Sequence, residues 1–162
     1  MSYDLNVYLD RQKMPSPETW KASITRAGFP VELDDDFDVE SFTGFLPCPV
    51  KGEISGFEYY SSKLSPDEVA TLRLPKNLNF SIQFNIGSRP LELVSALAAS
   101  SVLATLTGGV LVDPQSGARV HRRGGAHMGE ITNCSHQSLT CCSTGRAGSI
   151  ALCGKWRQPR AG

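Results

Sequence analysis

Residues 32–41 read ELDDDFDVES, and five of the seven positions from 34 to 40 are carboxylates: Asp34, Asp35, Asp36, Asp38 and Glu40. Oxygen-rich loops of this kind hold calcium when the spacing is right. Asp34, Asp36 and Asp38 match the first, third and fifth positions of an EF-hand loop. The sixth position, where a sharp turn needs glycine, is Val39, and the twelfth, which needs a bidentate glutamate, is Phe45. The calcium reading fails on those two residues. Two readings remain: a solvated acidic turn, or an acidic face that steers a basic partner. The partner-binding set expected from sequence is Asp34, Asp35, Asp36, Asp38 and Glu40, with Tyr59 and Tyr60 as an aromatic contact surface beside Tyr8. Sheet packing is the simpler role for those aromatics.

The second group with chemical capacity lies near the C-terminus. Cys134, His136, Cys141, Cys142 and Cys153 follow His121 and His127. Zinc takes such ligands, but structural sites use paired spacings such as C-x₂-C, and none occurs. No metal and no cofactor are expected. Asn133-Cys134-Ser135 fits a glycosylation sequon, which needs export to be used. Arg122-Arg123 has no aromatic platform beside it, so no specific nucleic-acid binding is expected.

Catalysis finds little support. Residues 1–117 contain no histidine, the commonest general base. Ser61-Ser62 and Thr43 have no base near in sequence, and there is no G-x-S-x-G elbow. Gly52-x-x-x-Gly56 is followed by no Gly-Lys-Ser/Thr, so it is no phosphate loop. The alternative to a binding protein is a small ligand-binding or enzymatic domain, with Glu53, Glu58 and Tyr59 lining a pocket on a sheet face. Cys48 reads as a small buried hydrophobe.

These residues need a scaffold, and the pattern supplies one. Tyr3, Leu5, Val7 and Leu9 alternate with polar residues, which predicts a half-buried strand. Ser16-Pro17 opens a helix with Trp20 and Ile24 inward, and Gly28 stops it. A short strand is expected over residues 29–33, then strands on either side of a Lys51-Gly52 hairpin tip. Ser65-Pro66-Asp67-Glu68 opens a short helix or turn. Phe80, Ile82, Phe84 and Ile86 alternate as a second clean strand. Residues 88–117 form the centre: a helix capped by Ser88, Pro90 in its first turn, a Gly108-Gly109 stop, an inner strand over 110–112 and a turn over 113–117. Leu93, Val94, Leu97, Ala98, Ser101 and Ala104 share one helix face, so Val94 and Leu97 should meet the strands at 3–9 and 80–86. The expected architecture rests on that contact. Seven large aliphatics in this helix would contribute roughly 10–20 kcal/mol of gross burial. Residues 93–112 are uncharged and about as long as the ~20 residues of a membrane span. The serines, threonines and glycine pair, with no flanking basic cluster, argue for a buried core helix instead.

The element order predicts an α+β fold: a mostly antiparallel sheet with two main helices on one face, a ferredoxin-like β-α-β-β-β-α-β. Residues 1–117 carry nine Lys/Arg against fifteen Asp/Glu, a net of −6. Residues 118–162 carry seven against one, a net of +6. Every Phe and Tyr precedes residue 118. The expected division is a globular domain over 1–117 and a basic Cys/His/Gly-rich tail over 118–162. The tail has no helical or strand period, and too few large apolar residues to offset ordering costs of ~1–2 kcal/mol per residue. Its mix resembles an out-of-frame reading of GC-rich DNA, as though the native frame were lost near Gly117. The N-terminus lacks a basic start and an apolar run, which reads as no secretory signal and hence the cytoplasm.

MSYDLNVYLD, the SPETW helix start, FTGFLPC and TGGVLVDPQSG together resemble small uncharacterised bacterial α+β proteins of the toxin-immunity type. The resemblance covers residues 1–117 and contains no catalytic motif. It implies a cytoplasmic, non-enzymatic binding protein, an immunity protein neutralising a cognate bacterial toxin through its acidic surface. It also implies a further helix or strand after the DPQSG turn, and the tail of this sequence departs from that pattern.

Overall fold

A computed structural model describes residues 3–121. The chain divides into Met1–Ala126 and His127–Gly162. The zinc candidates Cys134, His136, Cys141, Cys142 and Cys153, with His127, Asn133 and Arg122-Arg123, lie outside the described residues.

The fold is α+β. Six strands form one open antiparallel sheet: β1 (Tyr3–Leu9), β2 (Gly44–Pro47), β3 (Gly56–Lys63), β4 (Phe80–Ile86), β5 (Val110–Asp113) and β6 (Ala118–His121), in the order β2-β3-β4-β1-β5-β6. Three helices accompany them: α1 (Pro17–Arg26), α2 (Pro66–Thr71) and α3 (Pro90–Thr107). β1 lies between β4 and β5 and is antiparallel to both. The β4–α3–β5 unit is therefore a split β-α-β, the ferredoxin-like device expected from the element order.

Register shows why the alternating residues mattered. Leu5, Val7 and Leu9 pair with Phe84, Ile82 and Phe80, and Tyr59 stands opposite Phe84 on the next strand. These side chains share one face, and α1 and α3 cover it. Trp20 of α1 is fully buried there, edge-on to Phe84, and its Nε1–H donates to the Ala99 carbonyl of α3 at 3.0 Å. Asp4, Asn6, Tyr8, Gln83, Asn85, Glu58 and Tyr60 take the other face by the same alternation. Arg119 lies opposite Val112, which pairs with Asn6, and it donates to the Leu72 carbonyl just after α2. That bond ties the α2 connection to the second face.

The α1 and α2 starts follow their sequence. Ser16 and Ser65 accept bonds from Thr19 and Glu68 N–H, and Glu68 completes a capping box. α3 departs from expectation at its start. Arg89, not Ser88, is its N-cap, and no side chain caps it. Gly108 does end it, at φ 64°.

The burial of α3 also corrects the sequence reading. Val94 and Leu97 face outward at 40 % and 42 % exposure, while Ser95, Ala96, Ala99, Val102 and Leu103 are buried. The architecture stands because the side with small residues covers the sheet. α3 touches β1, β3 and β4 beneath it and α1 beside it. Alanine and serine let backbones approach where leucine would hold them apart. The buried hydroxyls are satisfied: the single Ser95 O–H lies 2.7 Å from the Cys48 carbonyl and 3.0 Å from the Leu91 carbonyl, and Thr107 donates to the Leu103 carbonyl. By length and composition α3 could cross a membrane, but half of it is buried within the fold.

Residues 29–33 form no strand. Val31 makes one isolated bridge to Val50, and the segment runs beside 47–51 through Glu32 N–H to Pro49, Asp34 N–H to Pro47 and Lys51 N–H to Pro30 carbonyls. Pro30, Pro47 and Pro49 have no N–H to give, so no continuous ladder can form. Lys51 and Gly52 do make a hairpin tip, both at positive φ. At the far edge, β6 pairs with β5 from Ala118 to His121. The sheet thus extends four residues past the expected boundary at Gly117.

Candidate functional site

The acidic loop packs over the helix-covered face near β3. Phe37 anchors it from within, 5.7 Å from Tyr59, 6.5 Å from Trp20 and 5.4 Å from Phe42 between ring centres. Tyr59 reaches up from β3 and donates its hydroxyl to the Val39 carbonyl. One strand position on, the Ser61 hydroxyl donates to the Glu40 carbonyl at 2.6 Å. The aromatic residues scattered through DDDFDVESF are therefore the loop's attachment.

The carboxylates divide by task. Asp38 Oδ1 accepts from Glu40 N–H, Ser41 N–H and the Ser41 hydroxyl at 3.0, 2.8 and 2.9 Å. Those donors, Ser41 N–H foremost, hold its carboxyl below the usual range. Asp34 Oδ1 accepts from Asp36 N–H. Asp35 takes the Lys21 ammonium at 2.8 Å, and that bond lowers its pKa. Glu40 is gripped by Arg11 through Nε and Nη2, which lowers its pKa and raises that of the guanidinium. Glu32, Asp34 and Asp36 are exposed and make no ion pair among the described residues. The loop is acidic and fixed in shape, and only part of its charge is compensated.

Tyr59 corrects the aromatic contact surface. It is fully buried, and burial pushes its phenol pKa far up. It positions the loop and is closed to a partner. Tyr60 points to the opposite face, half-buried, with its hydroxyl on Glu58. The alternation of β3 separates the alternative set in the same way: Glu58 and Tyr59 stand on opposite faces, and Glu53 belongs to the hairpin tip. Glu53, Glu58 and Tyr59 line no common pocket.

An open hollow of about 490 Å³ lies between the loop and the ends of β3 and β4. Asp38, Glu40 and Ser41 form one wall, Ser61, Ser62 and Lys63 another, with Arg11 and Phe80 completing it. Sequence reading missed this grouping. Neither Arg11 nor Lys63 carries a sequence signal that links it to the acidic stretch. Only the pairing of β3 with β4 and the fold-back of the loop bring them together. Among the described residues no cluster of His, Cys, Asp or Glu is arranged to hold a metal ion. Cys48 is buried, and its thiol is pushed up to about 12 by burial. No protein-family model, no curated protein and no solved structure matches the chain.

Proposed function

We propose that this chain is a cytoplasmic, non-enzymatic binding protein that engages a basic protein surface through the acidic loop at residues 34–40. The observation that carries the reading is the loop's preorganisation. Asp38, Tyr59, Ser61 and Phe37 fix its backbone, while Asp34, Asp36 and neighbouring Glu32 are exposed at its surface with no ion pair among the described residues. A rigid loop loses little conformational entropy on binding, and clustered like charge speeds encounter with an opposite charge. The −6 balance of residues 1–117 adds to the same field.

Within this reading the partner is a toxin domain and the chain its immunity protein. The support is the sequence resemblance and the absence of histidine from residues 1–117. The partner-facing set is Asp34, Asp36 and the outer edges of Asp35, Asp38 and Glu40. The test is co-purification with the products of neighbouring genes. A basic partner retained by the wild type and lost from D34K/D36K supports the proposal. Retention that ignores the charge reversal contradicts it.

A further inference from the structure

The hollow beneath the acidic loop has a charge layout that the loop's proposed role does not use. The Arg11–Glu40 pair is closed on itself through two N–H donors. Ser61 is engaged with the Glu40 carbonyl, and Ser62 with Ser81 at 2.8 Å. Two charged groups remain incompletely partnered. Lys63 makes no ion pair among the described residues. Asp38 has its Oδ1 saturated by three donors, while Oδ2 makes no hydrogen bond there. The hollow therefore offers the Lys63 ammonium and an Asp38 carboxylate oxygen among its lining groups, with the buried Phe80 beneath them. Its size, about 490 Å³, falls in the range of small-molecule sites.

We infer that this hollow binds a free α-amino acid, carboxylate toward Lys63 and ammonium toward Asp38. A purely anionic ligand would face Asp38, and a purely cationic one would face Lys63. Each would gain one contact and meet a like charge across the hollow. A dipolar ligand satisfies both walls at once. Asp38 and Glu40 border both this hollow and the partner-facing loop, but Lys63 belongs to the hollow alone, so a Lys63 variant tests this site without touching the outward carboxylates Asp34 and Asp36.

The test is a titration of the full chain with leucine, leucinamide and N-acetylleucine, followed by the amide NMR signals of Ser41, Ser61, Ser62 and Lys63. Leucine is expected to move these signals saturably. Blocking either end should weaken binding at least tenfold. Lys63→Met should abolish the response and Lys63→Arg keep it. Asp38→Asn, which retains an oxygen for the turn, should lose the preference for leucine over N-acetylleucine. Absence of saturable shifts with leucine, equal binding of the blocked forms, or an unchanged response in Lys63→Met would each overturn the inference.

Discussion

Tyr59 shows how one atom governs a loop. Its hydroxyl is the bond from β3 to the Val39 carbonyl, and its ring is the platform for Phe37 and Phe42. Tyr59→Phe keeps the ring and removes the bond. It should cost about 0.5–1.5 kcal/mol in urea unfolding and speed amide exchange across residues 36–41. Unchanged exchange there would mean that the aromatic packing alone holds the loop. Acid should act on the same structure through different atoms. Asp38 has a folded pKa below its ordinary value, as do Asp35 and Glu40. A depressed carboxylate stabilises the fold above the unfolded pKa, and that contribution is lost as pH falls through the folded one. The Glu40 and Ser41 amide signals, both bonded to Asp38, should hold steady from neutral pH and move only below about pH 4. Movement already near neutral pH would contradict the bonds described. Tyr3 runs the other way. Its phenol donates to Asp113, and that bond, with burial, raises its pKa to about 12. Its contribution is complete below the ordinary tyrosine value and fades as pH climbs through the raised one.

Among the elements, β1 and β4 were legible because period-two alternation directly states which residues share a face. α1 was legible because serine and proline at its start have one favoured use. α3 was legible as a helix but not in its orientation. Its apolar residues lie nearly all round, so the sequence does not show which side meets the sheet. The larger side chains suggested one answer, and the need for close approach imposed the other. Two substitutions separate these. Ala99→Leu should cost about 1–3 kcal/mol by overpacking, whereas Leu97→Gln should stay within about 0.5 kcal/mol. The reverse ranking would place Leu97 inward. Residues 29–33 show another limit, since three prolines on two segments cancel a strand that each segment alone would permit. β6 is a third case. Its four residues are exposed, so they carry no burial pattern, and only the Asp113–Gly117 turn and the waiting edge of β5 define it. A chain ending at Gly117 should therefore melt about 4 °C or more below one ending at Ala126. Equal melting temperatures would show that β6 contributes nothing to the sheet.

At the scale of the whole described region, residues 3–121, the sheet has two different faces. One carries α1, α3 and the fixed acidic loop, and the other is a polar sheet surface partly tied down by α2. The acidic stretch was visible in the sequence as composition. Its rigidity was not, because the residues that create it — Arg11, Lys21, Tyr59 and Ser61 — come from distant segments. That rigidity is what distinguishes a prepared interaction surface from a solvated turn. The most direct measurement is capture of the neighbouring gene products on the immobilised full chain, at low and high salt, for wild type and D34K/D36K. The expected result is one basic protein held by the wild type, released as salt screens the exposed carboxylates, and lost from the variant. Failure to hold any of those products, or retention that neither salt nor charge reversal alters, would contradict binding through residues 34–40.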